Sequence, residues 1–222
     1  YFETTEGTEG AAATIYRNQD APGGGREATL VGGLERTALS VANALRYPTI
    51  YAARQEMRSW RFLQLHPSGL RAPGPKGGAV PLLPDGSNLP GVLSRLAEAP
   101  ARLESIAREL AGFIPRVEKI LITPVVDRDD VLIEIETADK SRFSSRVLSD
   151  GTLRMLALVT IKADPLHKGV LCFEEPENGV QAMRMKQIMD VLYALSADLE
   201  KDDSTPLRQV LINTHSPGLL AH

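Results

Sequence analysis

Apolar positions are sparse in the first third of the chain, recur with helical and strand periods in the middle, and crowd together in the last third. Residues 1–26 are polar and Gly-rich, close on Pro22-Gly23-Gly24-Gly25, and predict short strands with a mobile loop. Over residues 34–57, Leu34, Ala38, Val41, Ala42 and Leu45 return at helical spacing, Pro48 interrupts, and a second helix runs through Gln55. Residues 60–65 alternate as a strand that His66-Pro67 ends, and the Pro/Gly-rich stretch 68–84 reads as a loop. Asp85-Gly86-Ser87-Asn88 predicts a turn and cap for a helix whose apolar face is Leu89, Val92, Leu93 and Leu96. Leu103, Ile106, Ala107 and Leu110 carry a further helical stripe. Residues 117–126 and 131–137, joined by Asp127-Arg128-Asp129-Asp130, are β-rich and predict a hairpin.

From residue 152 the pattern changes to long apolar runs. A helix over 152–162 leads to Val170-Leu171-Cys172-Phe173, then a helix over 183–199, then Val210-Leu211-Ile212. Unbroken apolar strands separated by helices are what a buried parallel sheet requires. The expected fold is therefore α/β, with a mainly parallel sheet, helices on both faces, and a helical lobe and β-hairpin placed before residue 148. Residues 1–66, 67–147 and 148–222 are its expected parts: an N-terminal lobe, the helical lobe with the hairpin, and the sheet core.

Composition narrows the class without changing this picture. With 43% hydrophobic and 24% charged residues the chain is built to fold around a core. Its 25 Lys and Arg against 28 Asp and Glu leave −3, so no global basic field draws it to nucleic acid or acidic lipid. The single cysteine, Cys172, excludes an intrachain disulfide and is expected to be a buried thiol in a reducing cytoplasm. No apolar stretch approaches the roughly 20 residues of a membrane span, and no leader pattern opens the chain at Tyr1. A start at Tyr1 rather than Met points to a piece of a longer polypeptide.

Chemistry concentrates at strand ends. The run 170–173 ends in Glu174-Glu175-Pro176, which delivers two carboxylates to the edge of a parallel sheet where ligands of such sheets bind. One carboxylate suits Mg²⁺ and the other suits polarising a water for attack on a γ-phosphate. The alternative is a strand running into an acidic, solvated loop. Gly151 stands 23 residues before Glu174, and Ser149 with the N–H groups around Gly151 opens a helix in a way suited to a phosphate. Taken singly, that segment is an ordinary turn and helix cap. His215 follows Glu175 by 40 residues, at the end of the strand 210–212, as a candidate γ-phosphate sensor.

In this order the motifs resemble a known family. Leu148-Ser149-Asp150-Gly151-Thr152-Leu153-Arg154 resembles the ABC signature, and Val170-Leu171-Cys172-Phe173-Glu174-Glu175 resembles a Walker B strand. Pro176-Glu177-Asn178-Gly179-Val180-Gln181 resembles the D-loop, and Asn213-Thr214-His215-Ser216-Pro217 the switch-histidine motif. The wording is similar to soluble RecF/SMC/OLD-like ATPases and AbiEii-toxin-like AAA domains of the ABC-type superfamily, more than to transporter subunits. The resemblance is strong over 148–220 and looser over 34–148. It implies an ATPase that binds ATP and Mg²⁺, with Glu174 serving the metal, Glu175 as catalytic carboxylate and His215 on the γ-phosphate. It further implies that Ser149 and Gly151 act in trans in a homodimer, and that residues 178–181, beginning with Asn178, link the two sites. Gln64 stands where a Q-loop residue belongs, or is an ordinary strand residue. DNA maintenance or phage defence, with DNA or an effector protein as partner and no membrane, is the setting the resemblance implies.

Two departures qualify it. Asp150 stands where transporters carry Gly, and no Gly-x-x-x-x-Gly-Lys-Ser/Thr occurs in the 222 residues. Without that loop the chain has neither the N–H cradle nor the lysine for the β- and γ-phosphates. The expectation is that the loop belongs N-terminal to these residues and that this piece by itself is inactive. A non-catalytic interaction module that keeps the fold is the competing reading, and a transporter's ATPase subunit the third.

Overall fold

The computed structural model describes residues 2–7, 10–16, 26–30, 37–41, 47–78, 80–197 and 207–221. Leu34, Ala42, Leu45 and the glycine run at 23–25 lie outside them. The chain divides into two compact units, Tyr1–Ser59 and Trp60–His222.

The first unit holds an antiparallel sheet of β1 (Phe2–Gly7), β2 (Gly10–Tyr16) and β3 (Arg26–Leu30), in that order. Two helices follow, α1 (Ala38–Val41) and α2 (Pro48–Ser59). Pro48 occupies the first position of α2, where its missing N–H costs no hydrogen bond. Ile50 is buried there against Leu39 and Tyr47.

The second unit opens with β4 (Arg61–Leu63), α3 (Pro67–Arg71) and β5 (Gly74–Pro75). The expected loop over 68–84 is thus partly ordered into a helical turn and a short strand. Burial is the reason: Leu70 is wholly enclosed, and β5 adds to a sheet through Gly74 opposite Val131. Local composition reads Pro and Gly as loop and does not see either contact.

Next come α4 (Leu89–Leu96), α5 (Pro100–Phe113), β6 (Val117–Pro124), β7 (Asp130–Thr137) and β8 (Arg142–Ser144). The β6–β7 hairpin pairs antiparallel, and β5 and β8 extend it into a four-stranded sheet. Asn88 precedes α4 but does not cap it with its side chain. Its amide instead accepts from Leu83 N–H at 2.8 Å and donates to the Pro81 carbonyl at 3.0 Å, fastening the preceding loop.

The remaining elements are α6 (Asp150–Ala163), β9 (Gly169–Glu174), α7 (Met185–Leu195), β10 (Arg208–Asn213) and α8 (Pro217–Leu220), with a 3₁₀ turn over Ala182–Arg184 before α7. α6 is apolar nearly all round and is correspondingly buried from Leu153 to Ile161. It packs against α3, α4, α5 and α7 at the centre of the core.

The parallel sheet has the order β10-β9-β4, with Leu63, Phe173 and Ile212 in one register row and Phe62, Cys172 and Leu211 in the next. Alternation sends these rows to opposite faces. Leu63, Leu171 and Phe173 enter the main core with residues of α6 and α7. On the other face Phe62 is 66% and Leu211 58% exposed, so the helices of the second unit gather on the face that carries Leu63 and Phe173. Cys172 lies on that open face and is half-buried, not enclosed as its apolar neighbours suggest.

Candidate functional site

The parallel pairing of β9 with β10 places Glu174 opposite Asn213, and the chain then continues past both strands at the same edge. Asn213 Nδ2 donates to both carboxylate oxygens of Glu174, at 2.9 and 3.0 Å. One residue further, the Glu175 N–H donates to the Asn213 carbonyl at 2.8 Å, and His215 Nε2 lies 4.0 Å from Glu175 Oε1. Glu174 and the His215 imidazole face solvent. Gln64, directly after β4, lines with Glu174, Asn213, Cys172 and Leu211 a cleft of about 550 Å³ over the open face of the sheet. Gln64, Glu174, Glu175 and His215 thus gather at one edge.

Glu175 is held in an uncommon backbone conformation, φ +42°. A non-glycine residue in the left-handed region is disfavoured unless its surroundings fix it. Here the Asn178 amide donates to the Glu175 carboxylate and the Asn178 N–H to the Glu175 carbonyl at 3.1 Å. Gly179, at φ +75°, then turns the chain back.

Ser149 and Gly151 stand on the far side of that turn. Ser149 caps α6, its Oγ accepting from Thr152 N–H at 3.2 Å and pairing with Thr152 Oγ1 at 2.8 Å. Gly151 is where the helix meets the turn: a Cβ there would come within 2.7 Å of the Gly179 carbonyl and 3.3 Å of Val180 Cα. Only glycine permits that approach. Asp150 is paired with Arg71, which also donates to the Leu148 carbonyl at 2.9 Å. The negative charge at the motif's departing position is therefore compensated from α3.

Sequence reasoning passed over three residues at this junction. Glu177 is buried, and Thr214 Oγ1 donates to its Oε1, tying the turn after β9 to the segment after β10. Arg154 is also buried, on the face of α6 shared with Gly151 three residues earlier. Burial disfavours its charge, while the carboxylates of Asp150, Glu175 and Glu177 favour it. The available signal was a lone charge inside an otherwise apolar helical run, a placement arginine adopts only when it is compensated.

Among the described residues no helix is long and apolar enough to cross a membrane, and no group of three His, Cys, Asp or Glu side chains is arranged to hold a metal ion.

Residues 36–221 match the family model described as "AAA domain, putative AbiEii toxin, Type IV TA system". No curated protein sequence matches the chain. Similar solved structures include the Smc head domain of Pyrococcus furiosus with an extended coiled coil, bound to the C-terminal domain of ScpA. It has a TM-score of 0.39 and 14% identity, covering 62% of this chain and 34% of that one. The Smc head domain of Pyrococcus yayanosii with a coiled coil and joint has a TM-score of 0.39 and 16% identity, covering 58% and 24%. The chain spans about a third and a quarter of those two proteins.

Proposed function

The chain belongs to this AAA domain family, and from that premise we propose that it carries the hydrolytic residues of an ATP-gated dimer. The observation that supports this most is the convergence of Glu174, Glu175 and His215 at the carboxyl ends of two paired parallel strands. In open α/β sheets this edge is where ligands sit.

Glu174 fits a single Mg²⁺ ligand: it is an exposed carboxylate steadied by Asn213, with lone pairs left over. Mg²⁺ takes one or two carboxylates and completes its shell with water and phosphate oxygens, so a three-residue cluster is not needed. When bound it would neutralise phosphate charge. Glu175, held by Asn178 and near His215, orients and deprotonates the attacking water, and His215 donates to the γ-phosphate. Ser149 and the first-turn N–H groups around Gly151 meet nucleotide held by the second subunit, with residues 178–181 between the sites. Gln64 reaches the same cleft from β4. The phosphate cradle comes from residues outside these 222, so the chain alone binds Mg²⁺-ATP weakly or not at all. The setting in DNA maintenance or phage defence rests on the motif resemblance alone.

The test uses the full-length protein. Glu175→Gln keeps the shape but removes the base, so turnover should fall about 10²–10⁴-fold while ATP still binds and light scattering records a persistent dimer. Ser149→Arg should bind ATP in each monomer yet form no ATP-dependent dimer. Wild-type turnover in Glu175→Gln, or an ATP-induced dimer in Ser149→Arg, removes those residues from these roles. A wild type that never hydrolyses ATP leaves the non-catalytic module standing instead.

A further inference from the structure

Arg154 on α6 and Glu177 in the turn that follows β9 are both charged, and each is more than nine-tenths buried. Neither is satisfied: Arg154 Nε and Glu177 Oε2 are both buried without a hydrogen-bond partner. No ion pair or hydrogen bond joins the two side chains; each brings one unspent polar atom, a cationic donor and an anionic acceptor, to segments of the chain that touch. The backbone brings their carriers together independently, because the Gly151 end of α6 is seated on Gly179 and Val180. Gly151 and Arg154, three apart, share that helix face. Through its other oxygen Glu177 holds Thr214, the residue before His215.

We propose that Arg154 is a positioning residue for hydrolysis: by pairing with Glu177 it locks the 175–180 turn to the signature helix and so holds Glu175 beside His215. This rests on the ATPase reading above. It adds a link within one subunit, from the helix whose cap is Ser149 to the carboxylate that acts on water. A movement of the turn that brought Oε2 to Nε would satisfy both atoms at once and would carry Glu175, which opens that turn. Arg154 touches no reacting atom.

The experiment is a double-mutant cycle in the full-length protein, read two ways. By steady-state kinetics, Arg154→Met should lower kcat by about tenfold or more with KM for ATP within about threefold, and Arg154→Lys should recover most of kcat. By denaturant unfolding, Arg154→Met and Glu177→Gln should each lower the midpoint, and the double variant should regain part of the loss, since removing one partner strands the other's charge. Equal losses of kcat in the Met and Lys variants, or a change in KM alone, overturn the positioning role. Additive midpoint losses overturn the pairing. A wild type without ATP turnover sinks the ATPase reading and the positioning role with it, while the unfolding cycle still decides whether the two side chains pair.

Discussion

The two ends of the parallel sheet are both polar, and they solve opposite problems. At the amino end, Asp164 is wholly enclosed between α6 and β9 and accepts from both Arg95 Nη atoms, at 3.1 and 2.8 Å. Arg208, the first residue of β10, donates to the carbonyls of His167, Asp164 and Lys162 at 2.7, 2.9 and 3.2 Å. His167 Nε2 accepts from Leu82 N–H at 3.0 Å, which makes it the neutral tautomer protonated at Nδ1. This end ties the helical lobe, α6 and both strands together. At the carboxyl end, Glu174 and His215 face solvent and Glu175 bears a left-handed backbone. A buried polar cluster must pair to be tolerated, whereas a site that acts on a ligand must keep groups unspent. One end is enclosed, and the other, the candidate site, is open to solvent.

The sharpest way to break this contrast is Asp164→Ala. It strips Arg95 of its bidentate carboxylate and takes the balancing charge from buried Arg208, whose carbonyl acceptors stay in place, so chemical denaturation should show a loss of about 3–5 kcal/mol. A loss below about 1 kcal/mol would mean the amino end is not the staple. Next in size is pH. Burial foremost, with Arg208, Arg61 and Arg95 adding and Asp164 opposing, depresses the His167 pKa from 6.5 to about 4. The unfolded chain therefore takes up this proton first, and stability falls as pH drops from about 6.5 to about 4, by about 3 kcal/mol. His167→Gln should flatten that slope in unfolding midpoints measured across the window, and an unchanged slope assigns it to other groups.

Gly151→Ala places a methyl 2.7 Å from the Gly179 carbonyl. Overpacking of this kind should cost about 1–3 kcal/mol in unfolding experiments and lower ATP turnover together with it. A neutral result would separate α6 from the 175–180 turn. The smallest effect expected is Glu175→Gly, which relieves the left-handed backbone at the cost of the carboxylate. Unfolding should show a gain of up to about 1 kcal/mol, with turnover lost. A clear destabilisation would place Glu175 with the structural end instead.

The placement of much of the candidate site was legible because its parts are local. Glu174 and Glu175 end an apolar strand, His215 follows another, and Ser149 opens a helix, so each position could be read from the residues around it. The pairing of β9 with β10 then converts adjacency of motifs in order into adjacency in space. Arg154, Glu177 and Thr214 were not legible as a group, since they come from three segments: Thr214 bonds Glu177 across the ends of β9 and β10, and the helix of Arg154 reaches that turn through Gly151.

The sequence by itself determined the periodic elements: the stripe of α4, the β6–β7 hairpin, the largely apolar α6 and the strands of the parallel sheet. Periodicity suffices there because burial repeats with the geometry of the element. Only the tertiary structure decided what is covered and by what. It ordered α3 and β5 inside a Pro/Gly-rich stretch through Leu70 and the β7 edge. It turned Asn88 from a helix cap into a loop clasp and left Cys172 on the open face. Period-two alternation tells that a strand has two faces, but which one meets a helix depends on neighbours far away in the chain.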